Sequence, residues 1–217
     1  MEYFKGLKKN VVLAKYTTYK IGGSADYFYV AKNIESVKTA LNFAGENGIP
    51  VFILAGGSNI LFSDDGFRGL VVKIENQEIK FDGYNAMADA GAPMDDLIKQ
   101  TVEKGYKGLE WAGGLPGTLG GAIRGNAGCF GGEIKNITKE VSAMTMGGET
   151  KTYANKDCQF GYRDSVFKHN NEIIISATLE FEGCDRDKLR QDVFERIKYR
   201  QARHKLPRCG SVFKQHL

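Results

Sequence analysis

Glycine-rich segments are the part of this 217-residue sequence that most directly indicates chemistry. The first is Gly56-Gly57-Ser58-Asn59, which directly follows the apolar run Val51–Leu54 and Ala55. Adjacent glycines allow left-handed backbone angles that turn several N–H groups toward one point, and such a nest binds an anion, usually phosphate. Ser58 and Asn59 add side-chain donors. Taken alone, the same residues could also form an ordinary tight turn.

The second glycine-rich segment is denser and runs from Gly113 to Gly128. It is neither a Rossmann fingerprint, because no suitable strand precedes it and no acidic partner follows at the expected distance, nor a P-loop, because no Gly-Lys-Ser/Thr closes it. Residues 118–122 would suit a short helix whose N-terminus faces a phosphate. The alternative is a glycine-rich packing segment between strands. Two anion nests in one small protein indicate a dinucleotide that contacts both.

Two further segments carry side chains suited to catalysis. In Phe160–Ser165, Tyr162 and Arg163 offer a hydroxyl and a charged fork for carboxylate or phosphate, although Arg163 could instead pair with Asp164 at the surface. Ser211, after Gly210, could be an exposed proton donor or part of an ordinary Gly-Ser turn.

Composition excludes several classes of function. Glycine accounts for 27 residues and proline for only four, so the glycines serve backbone geometry within a fold. A net charge of +4 suits anionic ligands but is too small and too evenly spread for nucleic acid. No apolar run approaches the ~18 residues of a membrane span, and no secretory signal is present, so we expect a reducing cytoplasm. Four cysteines fit no zinc spacing and are interpreted as structural: Cys129, Cys158, Cys184 and Cys209.

The first third of the sequence reads as a βαβ unit. The alternation in Ala25–Val30 predicts a half-buried strand, Asn33 predicts a helix N-cap, and the apolar run Val51–Leu54 predicts a strand covered on both faces. The helix between them has an apolar stripe: Val37, Ala40, Leu41 and Ala44. Another strand is predicted at Leu70–Ile74.

The remainder is predicted to be mostly short strands, with helices at Met94–Lys104 and at residues 187–203. The strands are predicted at 78–81, 85–90, 141–146, 150–153 and 172–182. The second helix is expected to bury Leu189, Val193, Phe194 and Ile197. The predicted class is α+β, with lobes at 1–73 and 74–185 and a further part at 186–217.

Taken in order, these segments resemble the UDP-N-acetylenolpyruvoylglucosamine reductase family, the UDP-N-acetylmuramate dehydrogenases, from about residue 16 to 213. The resemblance is to the shorter type of the family, because residues 181–206 leave no room for an additional substrate-covering loop. The motifs that carry it are Thr18 with Ile21-Gly22-Gly23, Leu54–Leu61, Gly114–Ala122, Asn126-Ala127-Gly128, Phe160–Lys168 and Gly210–Lys214.

This resemblance implies a two-lobed FAD-binding domain of the vanillyl-alcohol-oxidase (PCMH) type, followed by a lobe that covers the substrate. FAD would be held without a covalent bond. The matching cofactor-binding residues are Thr18, Gly22, Gly56, Gly57, Ser58, Asn59, Ile60, Leu61, Gly114, Pro116, Gly117, Thr118, Gly120, Gly121, Ala122, Asn126 and Gly128.

The resemblance also implies the reaction. NADPH would reduce the flavin, and the enolpyruvyl group of UDP-N-acetylglucosamine enolpyruvate would then be reduced to UDP-N-acetylmuramate for peptidoglycan synthesis. Ser211 would donate the proton, and Arg163 would polarise the substrate carboxylate. Tyr162 and Lys205 would hold substrate or nucleotide phosphates. No metal, nucleic acid or membrane partner is implied, and a monomer is expected.

The sequence departs from the family at its end. The family continues after the Gly-Ser-Val-Phe-Lys segment with most of the third lobe and a catalytic glutamate, whereas this chain stops at Leu217, so we expect a truncated third lobe. A gene fragment, a chain that ends early and a complementing second chain all remain open. The sequence leaves two other interpretations open: the chain is a flavin-binding remnant with little activity, or it is a flavin oxidoreductase of the same superfamily with another substrate. The second is disfavoured because His169, His204 and His216 lie far from the first glycine turn, where a covalent flavin link would be expected.

Overall fold

The computed structural model describes residues 4–203 and 206. Its described residues divide into two compact units, the first with residues 4–76 and Leu206 and the second with residues 77–203. The predicted site residues Lys205 and Ser211 lie outside the described residues, as does Cys209. No helix of the described part is long and apolar enough to cross a membrane.

The first unit contains one four-stranded sheet and one helix. The elements are β1 (Lys8–Val12), β2 (Ser24–Ala31), α1 (Ile34–Glu46), β3 (Val51–Leu54) and β4 (Phe67–Ile74), with a 3₁₀ turn at Leu13–Tyr16. The strands lie in the order β1-β2-β4-β3; β2 and β3 run parallel to β4, and β1 runs antiparallel to β2.

Helix α1 confirms the predicted cap and apolar stripe. The Ser36 backbone N–H donates to the Asn33 side-chain oxygen at 2.9 Å, and the Asn33 N–H donates to the Ser36 hydroxyl at 3.0 Å. These bonds satisfy two N–H groups at the helix start, where a cap typically contributes about 1 kcal/mol. The buried face comprises Val37, Ala40, Leu41, Phe43 and Ala44.

Strand β3 differs from the prediction that both of its faces are covered. It lies at the end of the strand order, and only Leu54 among its four residues is fully buried. The two internal positions belong to β2 and β4, and the β4 residues Leu70, Val71 and Val72 are completely buried. A short apolar run has the same appearance at the centre and at the edge of a sheet, because pairing order depends on strands distant in sequence.

The second unit contains a five-stranded sheet in the order β11-β10-β12-β6-β5, in which every neighbouring pair is antiparallel. The predicted α+β class is confirmed. The sheet strands are β5 (Ile79–Asp82), β6 (Asn85–Asp89), β10 (Thr138–Met144), β11 (Thr150–Ala154) and β12 (Ile173–Glu180). Short strands form the pairs β7 (Tyr106–Lys107) with β13 (Glu182–Gly183) and β8 (Gly128–Cys129) with β9 (Gly132–Glu133). The helices are α2 (Met94–Lys104), α3 (Leu119–Arg124) and α4 (Arg186–Arg203).

Helix α4 packs through most of the predicted face, and only Phe194 departs from the prediction. Leu189 is 2% exposed as expected, but Phe194 is 64% exposed and lies outside the packed face. The face in contact with Gly113 and Gly114 contains Val193, Arg196, Ile197 and Arg200. The aliphatic parts of Arg196 and Arg200 lie against these glycines, and the Arg200 guanidinium donates to the Gly113 carbonyl oxygen at 2.8 Å, so arginine side chains complete this face in place of Phe194. Helix α4 is grouped with the second unit, and the predicted three-part division stays a prediction.

Candidate functional site

The turn after β3 is held against the loop that precedes β2. The Thr18 backbone N–H donates to the Gly57 carbonyl oxygen at 3.1 Å. Gly57 is buried with φ +66°, and a Cβ atom there would collide with the Tyr16 carbonyl oxygen. The left-handed backbone expected for this turn is therefore present at Gly57, where both conformation and space require glycine.

The loop before β2 is organised by Thr17, which the sequence motifs did not predict, although they include its neighbour Thr18. Thr17 is 3% exposed, and its hydroxyl donates to the Ile21 carbonyl oxygen at 3.2 Å. Gly22 has φ +137° and accepts from the Ala14 N–H at 3.2 Å. The structure thus brings Thr18 and Gly22 to the same part of the first unit as the turn at residues 56–61.

This part of the unit combines polar and apolar groups. Gly56 and Asn59 are exposed, and the apolar side chains of Ile21 and Leu61 are 46% and 64% exposed. Phosphates are bound by backbone and side-chain donors, whereas flat aromatic rings are bound by apolar side chains. The residues present therefore fit a ligand that has both, such as a flavin nucleotide.

In the second unit, the dense glycine segment forms a short capped helix. Thr118 is the N-cap of α3, and its hydroxyl oxygen accepts from the Gly121 N–H at 3.5 Å. The prediction of a short helix from residue 118 is confirmed. Gly114 and Gly117 precede it with φ +70° and +117°, which allow the chain to turn into the helix.

Individual residues of this segment have different roles. Gly120 is a packing residue, because an added Cβ would lie 2.8 Å from the Ala90 Cβ and its N–H donates to the Ala90 carbonyl oxygen at 2.8 Å. Ala122 is also buried, whereas Pro116 and Gly121 are exposed. The segment is therefore a packing segment at Gly120, next to the end of β6, while phosphate binding by its exposed residues stays a prediction.

Asn126 ties two distant segments together. It is completely buried with φ +39°, and its side-chain amide donates to the Gly161 carbonyl oxygen at 2.8 Å. Its side-chain oxygen accepts from the Lys135 N–H at 3.3 Å. The side chain is therefore engaged within the protein, and a contact between Asn126 and the cofactor stays a prediction.

Arg163 lies beside this junction. Its guanidinium donates to the carbonyl oxygens of Gly128 at 2.5 Å and Asn126 at 3.5 Å. The Tyr162 ring is 38% exposed, with its centroid 5.2 Å from the guanidinium carbon, which allows a cation–π interaction. The structure thus groups the predicted residues Tyr162, Arg163, Asn126 and Gly128.

Glu133 also belongs to this group, although no sequence pattern pointed to it. Its carboxylate accepts from the Asn126 side-chain amide at 3.4 Å. The Lys135 ammonium, 2.7 Å away, lowers the pKa of Glu133, and the positive charge of Arg163 acts in the same direction. Glu133 therefore stays ionised beside Lys135, close enough to Arg163 for the two charges to attract.

Comparison with known proteins agrees with this geometry. Residues 25–153 match the family model described as an FAD binding domain. Together with the fold, this match makes the chain an α+β FAD-binding protein of the vanillyl-alcohol-oxidase type.

The relatives define the family more narrowly. The chain is 34% identical to UDP-N-acetylenolpyruvoylglucosamine reductase of Lactobacillus acidophilus over 212 residues, which is 96% of this chain and 71% of that protein. It is 36% identical over 208 residues to the reductase of the same name from Alkaliphilus oremlandii, covering 94% and 68%. The crystal structure of the Thermus caldophilus enzyme matches with a TM-score of 0.82 at 26% identity, covering 95% of this chain and 74% of that one. The chain therefore belongs to the UDP-N-acetylenolpyruvoylglucosamine reductase family, as its motifs predict.

Proposed function

We propose that this chain is an FAD-dependent reductase that uses NADPH to convert UDP-N-acetylglucosamine enolpyruvate to UDP-N-acetylmuramate in peptidoglycan synthesis. The observation that carries the proposal is the arginine fork beside the glycine segment, in a chain of this family. Arg163 is anchored to the Gly128 carbonyl oxygen and stands next to the exposed Tyr162 ring. A guanidinium held in this way suits a substrate that carries a carboxylate.

FAD would be bound without a covalent link by the residues predicted from the family motifs. The turn at Gly56–Leu61 and the loop with Thr18 and Gly22 are held together in the first unit, where the exposed polar residue Asn59 lies on the same turn as the exposed apolar Leu61. The family motifs also predict cofactor contacts in the second unit, where Pro116 and Gly121 near the start of α3 are exposed. When bound, the flavin supplies the redox chemistry that the amino-acid side chains lack.

Arg163 would act on the substrate by electrostatics. Reduction of the enolpyruvyl double bond places negative charge on the carbon next to the carboxylate and on the carboxylate itself. A fixed cation in a partly buried position stabilises that charge as it develops. Tyr162 would contact the substrate from the exposed side of the same turn.

Two further roles rest on the family motifs alone. Ser211 would give its hydroxyl proton to the enolate carbon, which completes the addition of hydrogen across the double bond. Lys205 would hold a phosphate of the UDP group. We further propose a cytoplasmic monomer that needs neither nucleic acid nor a membrane, as the family resemblance implies.

The test is to replace Arg163 with alanine and to measure the two half-reactions separately. We expect flavin content and reduction by NADPH to be retained, while reoxidation by the enolpyruvyl UDP-sugar slows by roughly 10²–10³-fold, as for loss of one electrostatic stabiliser. Arg190→Ala is the matched control, because Arg190 is an exposed arginine on α4 that pairs with Asp187. Equal rates of reoxidation in the two variants would refute the role of Arg163.

A further inference from the structure

The turn that carries Arg163 is short and conformationally demanding. Gly161 and Asp164 close it with two backbone hydrogen bonds, of 3.1 and 3.3 Å. Arg163 itself has φ +55°, a left-handed conformation that a residue with a Cβ atom seldom adopts. Such a conformation persists only where the surrounding structure holds it in place.

Asn126 supplies that support from the other end of the glycine segment. Its side-chain amide donates to the Gly161 carbonyl oxygen at 2.8 Å, which fixes the first residue of the turn. Its backbone carbonyl oxygen accepts from the Arg163 guanidinium at 3.5 Å. One fully buried residue therefore holds both the turn and the functional end of its arginine.

The other end of the turn is fixed as well. The Ser165 hydroxyl is buried and donates to the Arg124 carbonyl oxygen at 2.8 Å, in the last residue of α3. The Lys168 ammonium donates to the Arg163 carbonyl oxygen at 2.5 Å. The Ser165 bond links the turn to the C-terminal end of α3, the helix that the glycine segment forms, and the Lys168 bond braces the turn from within its own segment.

We propose that Asn126 is a positioning residue for the reductase reaction, which acts by fixing the orientation of the Arg163 guanidinium toward the substrate carboxylate. This proposal rests on the proposed function. A misplacement of the guanidinium by an ångström weakens its hold on the developing charge without removing the charge itself, so the cost appears in the substrate half-reaction.

The test uses Asn126→Gly, because glycine tolerates φ +39° and the substitution removes only the side-chain bonds. Asn171→Gly is the control, since Asn171 is exposed with φ +56° and gives the same change of residue at a comparable backbone angle. We expect Asn126→Gly to slow reoxidation by the enolpyruvyl UDP-sugar about tenfold or more per bound flavin, while NADPH reduces that bound flavin at the unaltered rate. Calorimetric titration with the same UDP-sugar should show weaker binding, whereas the control should match the unaltered protein in every readout.

A double-mutant cycle separates positioning from a general structural effect. If Asn126 acts through Arg163, Asn126→Gly adds no further slowing when Arg163 is already alanine. An equal slowing in both backgrounds would overturn the positioning role and leave the proposed function intact. If Arg163→Ala alone leaves reoxidation by the enolpyruvyl UDP-sugar unchanged, the proposed role of Arg163 is refuted. The positioning role of Asn126 is then refuted as well, because it acts through Arg163.

Ser165→Ala provides an independent check in case Asn126→Gly folds poorly. It removes the bond to the Arg124 carbonyl oxygen at the opposite end of the turn. We expect a smaller slowing of the same half-reaction, which also disappears in the Arg163→Ala background. A slowing that persists in that background would count against the positioning of Arg163 through this turn.

Discussion

The Thr18 backbone N–H donates to the Gly57 carbonyl oxygen at 3.1 Å, and this bond joins the loop before β2 to the turn after β3. The two segments are separated by nearly 40 residues in sequence but form one surface in the first unit. At this junction the Gly57 Cα faces the Tyr16 carbonyl oxygen so closely that no side chain fits. The proposed phosphate nest therefore depends on a backbone-to-backbone contact as well as on glycine dihedral angles.

Replacing Gly57 with alanine should therefore release FAD. The left-handed angle costs an L-residue about 1–2 kcal/mol, and the clash with the Tyr16 carbonyl adds to this by separating the two segments. We expect the dissociation constant for FAD to rise by at least about tenfold, measured by fluorescence titration of the apoprotein, and valine to be more disruptive than alanine.

Gly48 provides the matched control for this substitution. It also has a positive φ, +62°, but an added Cβ would meet no atom within 4 Å. Gly48→Ala should lower the free energy of unfolding by about 1 kcal/mol, the cost of a left-handed backbone angle, and leave FAD affinity unchanged. Similar FAD affinities in the two variants would show that the contact with Tyr16 does not support the cofactor site.

Replacing Ser211 with alanine tests the proposed proton donor. Flavin reduction by NADPH should be intact, because no proton from Ser211 enters that half-reaction. Reoxidation by the enolpyruvyl UDP-sugar should be slower by roughly 10²–10⁴-fold, the usual contribution of a positioned proton donor. Stopped-flow absorbance resolves the two steps, and an equal loss in both of them would argue against this role for Ser211.

The described cysteines should differ in reactivity. Burial, aided by the charge of Asp157, raises the pKa of the Cys158 thiol to about 11, whereas Cys129 and Cys184 are half-buried. Because the thiolate is the reactive form, Cys158 should resist iodoacetamide at pH 8, while Cys129 and Cys184 react first. Peptide mass spectrometry with and without denaturant measures this order. Labelling of Cys158 in the folded protein as fast as in denaturant would contradict the burial.

The same raised pKa has a consequence for stability. In the unfolded chain the thiol ionises near its ordinary value of 9.0, whereas in the folded protein it stays neutral to about pH 11. The neutral Cys158 thiol therefore makes its full contribution to the free energy of unfolding below pH 9. This contribution is lost as the pH rises toward 11, because the unfolded chain ionises first. The difference in unfolding free energy between the unaltered protein and Cys158→Ala should accordingly narrow across this interval.

Local signals account for the features that the sequence predicts well. The cap at Asn33 and the bounds of α2 depend on neighbouring residues, with Gly105 ending α2 at φ +75°. The Gly57 turn is likewise predicted from adjacent residues. Such features need no knowledge of the rest of the fold.

Contacts distant in sequence account for the features that the sequence did not predict. The edge position of β3 follows from its pairing with β4, and the exposure of Phe194 follows from the packing of α4 on Gly113 and Gly114. The bond from Asn126 to Gly161 spans 35 residues, and no spacing pattern reports it. These relationships are set by tertiary packing, which one sequence does not display.

The most direct test of the proposed reductase function is a two-step titration of the purified protein in the absence of oxygen. The protein should be yellow, with flavin that acid releases, and NADPH should bleach it. Adding the enolpyruvyl UDP-sugar should then restore the colour and yield about one UDP-N-acetylmuramate per flavin. A colourless protein with no affinity for added FAD, or a bleached flavin that this substrate does not reoxidise, would contradict the proposed function.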